Sequence, residues 1–126
     1  MATVKDVGLT YARNAGADLS AKLHFLAKVD PTDGDLILAA AGTDTVIGVI
    51  TEAAAADKPV TVQFGGLAKV KAGGTIVAGD RLTSDGSGQA IATTTAGNRV
   101  FGIALDAGAS GNIVPVMLIQ AHIAVS

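Results

Sequence analysis

Residues 46–70 read VIGVITEAAAADKPVTVQFGGLAKV, and residues 100–124 read VFGIALDAGASGNIVPVMLIQAHIA. A shift of 54 with no gap pairs Val46 with Val100, Gly48 with Gly102, Glu52 with Asp106, Val60 with Val114 and Val62 with Val116. Each stretch is a β-branched run around a glycine, then an acid, a small-residue segment and a V-x-V. Short β-branched runs with period 2, bounded by Gly, Asp, Asn or Pro, read as strands rather than helices. Gly or Pro interrupts almost every window long enough for an average helix of about 11–12 residues. The repeated pattern predicts two similar β-units, at about 20–70 and about 75–125, packed into one sandwich or barrel. Gly48 and Gly102 then mark a close backbone approach or a bulge.

Working outward, strands are expected at Leu23–Val29, Leu36–Ala40, Val46–Ile50, Val60–Phe64, Leu67–Val70, Arg81–Thr83, Ala90–Ala92, Val100–Leu105 and Val114–Ile119, with a last one near His122–Val125. Asp33-Gly34 and Asp85-Gly86 can each close a hairpin, because Gly supplies positive φ and Asp tolerates it. Thr51–Asp57 reads TEAAAAD, which is either a single helical turn or a small-residue loop, since so short a helix does not stand alone. The fold class expected is all-β: a compact β-barrel or β-tulip-like domain over residues 16–126, preceded by an N-terminal arm over residues 1–15.

Composition sharpens this. The chain has 126 residues, 49% hydrophobic, 16% charged and 3% aromatic, with 16 Gly and no Cys. Counted with Gly and without Tyr, the apolar share is about 61%, against about 45–50% for ordinary globular chains. Disordered chains combine low hydrophobicity with high net charge, so disorder is excluded. Without Cys there is no disulfide framework and no thiol catalysis. The net charge of −2 is spread along the chain, so no basic footprint for nucleic acid is present. Ile113–Ile119 is a seven-residue run holding a Pro, too short for a membrane span of about 18–20 residues, so no membrane partner is expected. Nor does the N-terminus carry an apolar signal segment. The surplus apolar surface points to a subunit interface, since obligate interfaces resemble a core cut in half.

Searches for chemistry return little. There is no G-x-S-x-G elbow, no Walker loop and no G-x-G-x-x-G. His24 and His122 are far apart, and in a strand His24 would point away from its apolar neighbours, as an exposed or interface residue. Asp30, Asp33 and Asp35 resemble a calcium loop only until Ala40, which stands where a ligating Glu is required. A plain turn is the better reading. Asp44, Asp57, Asp80 and Asp106 sit beside turn-forming residues and read as turn and cap groups. Lys69 and Lys71 share one strand face, as on a solvated face or a guarded edge. No catalytic residue, cofactor or metal site is expected, and no enzyme activity.

The order of several weak motifs carries a resemblance. Gly16–Lys22 leads into a strand, followed by Ile47-Gly48-Val49-Ile50, Val60-Thr61-Val62 and Gly66–Val70. Then come Ala72-Gly73-Gly74 to Gly79–Leu82, Ser84-Asp85-Gly86 and Gly102–Leu105. Together, over about residues 16–119, they resemble the small capsid cement, or head decoration, proteins of tailed bacteriophages. That resemblance implies a non-enzymatic β-rich homotrimer on the outer surface of the expanded capsid, made in the host bacterial cytoplasm. It implies a bridge between major capsid proteins that stabilises the shell, and an N-terminal arm that contacts the shell by adding a strand. In this sequence the arm falls on Thr3, Val4, Val7, Leu9, Tyr11 and Arg13, which alternate from Val7 onward. Tyr and Arg are residue types enriched at interface hot spots. An unattached arm is expected to be loose in the free protein. Two rival readings stand beside this one. The first is a small β-clip-like ligand-binding module, suggested by Gly73–Gly88; the second is another virion structural protein, such as a fibre or spike base.

Overall fold

The computed structural model describes residues 9–122, with the side chains of residues 120–122 left aside. Ten strands form two five-stranded antiparallel sheets. The first holds β1 (Thr10–Asn14), β2 (Leu26–Val29), β3 (Leu36–Leu38), β4 (Gly48–Glu52) and β5 (Pro59–Gln63), in the order β1-β5-β4-β2-β3. The second holds β6 (Leu67–Lys71), β7 (Arg81–Ser84), β8 (Ala90–Ala92), β9 (Arg99–Ala104) and β10 (Ile113–His122), in the order β6-β10-β9-β7-β8. The all-β class holds. The closed barrel does not: the sheets stay open and separate, each ending in edge strands.

Adding five to each label of the first sheet gives the order of the second. The correspondence extends to single residues. Val49 opposes Gln63 and Ile103 opposes Met117; Tyr11 opposes Val62 and Ala68 opposes Val116. The Leu19 amide donates to the Ala54 carbonyl at 2.9 Å, and the Ile76 amide donates to that of Gly108 at 2.8 Å. His24 (φ 70°) donates from its amide to Ile50, while Gly79 (φ 90°) donates to Ala104.

Three local expectations need correction. No helix occurs among the described residues, so Thr51–Asp57 is not a helical turn. Thr51 and Glu52 finish β4, and the Ala54 carbonyl accepts from Leu19; the Lys58 amide donates to the Ala55 carbonyl to close a single tight turn that the left-handed Asp57 (φ 64°) keeps from continuing as a helix. Leu23 and His24 belong to a turn instead of β2, because the left-handed backbone at His24 cannot continue a strand. In the second hairpin the left-handed residue is Gly88 (φ 76°), not Gly86. The Asp85 carboxylate accepts from the amides of Ser87 and Gln89 and so places the turn one step later.

Two clusters make the core. Ala15, Leu19, Phe25, Ala27, Leu36, Ile50, Val60 and Val62 pack on one face of the first sheet. The second cluster holds Ala68, Val70, Ile76, Leu82, Phe101, Ala104, Val114 and Val116 of the second sheet, together with Leu26, Ala39, Val46 and Val49 from the first half of the chain. One core therefore joins both sheets. Backbone bonds reinforce the joint: the Leu26 amide donates to the Gly88 carbonyl at 2.8 Å, the Lys71 amide to His24 at 3.0 Å and the Arg99 amide to Gly42 at 2.7 Å.

Gly48 and Gly102 sit where strands nearly touch. A Cβ on Gly48 would lie 2.5 Å from the Gln63 carbonyl oxygen, and one on Gly102 would lie 2.8 Å from that of Met117. Backbone in a sheet cannot retreat cheaply, so Gly48→Ala should cost about 1–3 kcal/mol, the usual cost of overpacking. Gly65→Ala, with nothing within 4 Å of the added methyl, should be near neutral. Urea unfolding midpoints of the two variants measure the contrast.

Candidate interaction surface

Strand β1 is the outermost strand of the first sheet, bonded only to β5, and all five of its residues are exposed. Of the arm residues, Thr3, Val4 and Val7 lie outside the described residues. Leu9 and Tyr11 are 64% and 42% exposed. The Leu9 carbonyl accepts from the Phe64 amide at 2.9 Å, which brings the two residues side by side. Arg13 is engaged within the chain. Its Nη2 donates to the Asp33 carbonyl at 3.1 Å, and its Nε lies 3.6 Å from Asp35 Oδ1. The segment over residues 10–14 is thus a strand of the chain's own sheet, and no strand pairs with its outer edge among the described residues.

Tyr11, Ile47, Val62 and Phe64 line an open apolar groove of about 550 Å³, with Thr45, Val46 and Arg99 completing its walls. Tyr11 opposes Val62 across β1 and β5, so the two rings and their aliphatic neighbours stand on one face. Sequence reading singled out Tyr11 but missed Phe64 and Ile47, which lie just after β5 and just before β4. A second apolar surface lies on the outer face of the second sheet. Along β10, Val114 and Val116 point inward, whereas Ile113 and Met117 are 44% and 47% exposed. Ile103 opposes Met117, and Leu105 is 42% exposed nearby. Lys69, opposite Pro115, and Arg81, opposite Ile103, are exposed charges on this face.

The polar groups serve turns. Asp30 Oδ1 accepts from the Thr32 amide, Asp80 Oδ2 from Val77 and Asp106 Oδ1 from Ala107. Among the described residues, no three of His, Cys, Asp or Glu converge on a metal position. Phe25 receives two cations, with Lys22 Nζ 4.9 Å and Lys71 Nζ 5.7 Å from its ring centroid. Asp44 is the most connected carboxylate. Partial burial works to raise its pKa, but the Ala40 amide, then the Lys28 ammonium at 3.0 Å and the Ala41 amide, outweigh it and hold the carboxyl below its ordinary value.

Comparison with known proteins gives these surfaces a setting. The phage cement protein family matches residues 9–118. The chain belongs to that family. It is a phage structural protein of the capsid. The chain is also similar in fold to the N base of the head fibre protein gp8.5 of bacteriophage phi29. That likeness has a TM-score of 0.72 at 21% identity and covers 90% of this chain and 96% of that one. A search of curated proteins found no match.

The Asp44 pairing sets a pH dependence. A carboxylate made more acidic by folding stabilises fully above its unfolded pKa, and the contribution is lost as pH falls through the folded value. The ordinary value is 3.8. Thermal melts should therefore show Asp44→Ala less stable than the parent at about pH 6, with the gap narrowing as pH falls below the ordinary carboxylate value.

Proposed function

We propose that this cement protein binds the outer surface of the mature phage head as a homotrimer and bridges neighbouring major capsid proteins. Membership of the cement family, which spans residues 9–118, carries the reading. The surfaces support it, because the chain offers apolar faces and, among the described residues, an unpaired sheet edge at β1. The protein works by binding. Each copy in the trimer contributes a modest contact, and linkage makes the joint binding much tighter than one contact alone. Binding the expanded lattice in preference to its disassembled or immature forms stabilises it by mass action.

The N-terminal segment from Thr3 to Arg13 makes the shell contact in this reading. The outer edge of β1 can accept a strand of the capsid protein, with main-chain hydrogen bonds supplying affinity and alternate side chains such as Leu9 supplying specificity. The likeness to a head fibre base favours a second reading, in which the domain seats a longer appendage on the head. Both readings require attachment to the head.

Cosedimentation tests them. The purified protein should pellet with mature heads and stay in the supernatant with unexpanded ones; pelleting with neither rejects the reading. Deleting residues 1–8 leaves β1 in place and should lower head affinity by about tenfold or more, the cost of about 1.4 kcal/mol in contacts. Unchanged affinity would reject the arm as the contact while leaving the rest of the proposal standing.

A further inference from the structure

The two apolar surfaces are related to each other through the internal correspondence of the sheets. The groove residues Tyr11, Ile47, Val62 and Phe64 correspond, by strand register, to Ala68, Phe101, Val116 and Leu118. In the second sheet those positions are covered. Ala68, Phe101 and Val116 are buried in the joint core and Leu118 packs against it. What covers them comes from the first sheet, whose cross-strand row Leu26–Val49–Gln63 is buried. Leu26 and Val49 belong to the joint core, and Gln63 Nε2 donates to the Leu67 carbonyl at 2.6 Å. That covering row has its own counterpart in the second sheet, Arg81–Ile103–Met117, of which Arg81 and Met117 are exposed and Ile103 is half-buried, with no second sheet laid over it among the described residues. Each chain therefore holds one completed contact, one unfilled groove and one unused covering face.

We propose that the Arg81–Ile103–Met117 face of one copy docks on the Tyr11–Phe64 groove of a second copy, repeating between chains the contact that joins the two sheets within a chain. Charge supports the same pairing. Inside the chain, Leu26 meets the uncharged end of the Asp85–Gly88 loop, donating from its amide to the Gly88 carbonyl. Between chains the position of Leu26 is taken by Arg81, and that of Gly88 by Gly34. Gly34 lies in the loop that carries Asp30, Asp33 and Asp35, offset only by Arg13. A leucine facing a loop with one carboxylate, Asp85, is thus replaced by an arginine facing a loop with three. The two surfaces differ, so the contact is head-to-tail. Two joined copies keep a free groove at one end and a free face at the other, and association proceeds until a ring closes.

The pairing rests on the homotrimer of the proposed function and assigns its interface; light scattering on the eluted peaks of a sizing column tests it without any capsid, while attachment to the head is read separately by cosedimentation. The parent chain should run as an oligomer. Met117→Asp and Phe64→Asp change half-exposed positions, and each should run as a monomer with an unchanged β-type circular dichroism spectrum. Mixed one to one, they should form a dimer that neither makes alone, because Met117→Asp keeps an intact groove and Phe64→Asp an intact face. Arg81→Glu, at an exposed position, should weaken association about tenfold or more at low salt and provides the same test if an Asp variant fails to fold. A monomeric parent at about 100 µM, a variant that keeps the parent's mass, or a mixture that stays monomeric overturns the proposal.

Discussion

The second sheet does not close its core by itself. The second sheet lays out Ala68, Val70, Val114 and Val116 on one face, and what finishes their burial is Leu26, Ala39, Val46 and Val49 from the first half of the chain. Fully burying a branched aliphatic side chain contributes about 1.5–3 kcal/mol relative to leaving it exposed. The shared core therefore couples the folding of the two sheets. The amides of Leu26, Lys71 and Arg99 cross between the halves and fix their relative position, so the joint is specific in register as well as apolar.

The excess of small apolar residues has a physical purpose in this arrangement. Strands that pack on both sides need thin side chains where backbones converge, and Gly48 and Gly102 are the extreme case, each against a carbonyl oxygen. Ala27, Ala39, Ala68 and Ala90 fill the next rank. Aromatic bulk is confined to few places: Phe101 at the joint, Phe25 beneath two lysines, and Tyr11 with Phe64 at the open groove. A chain with 3% aromatic residues that leaves two of its rings half exposed on one face has placed them for contact.

Much of the fold was legible because strand signals are local. Val60-Thr61-Val62 and Leu67–Val70 show their inward and outward residues by alternation, and the structure places both within a residue of expectation. The Leu23–Val29 strand was drawn too long because nothing in Leu-His-Phe-Leu reveals that His24 turns left-handed. The alternation over Leu9–Arg13 reads as extended chain, yet that β5 is its neighbour is a long-range fact absent from the local pattern. Barrel closure is a global property of the same kind. The groove was invisible for the same reason, since Tyr11, Ile47 and Phe64 converge from three separate segments.

The left-handed corner before β2 is held by a histidine, and the matching corner before β7 by a glycine. What that position demands is a sign of φ, and it leaves the ring of His24 without an assigned task. Asp57 and Gly111, also both left-handed, tell the same story at the other end of the units. A fold specified by corners, close approaches and pairing register can exchange most of its side chains and remain itself. Likeness to the phi29 fibre base at 21% identity across 90% of the chain is one fold carried by two largely different sequences. For proteins of this construction, the fold is better recorded in the backbone's turns than in the letters that occupy them.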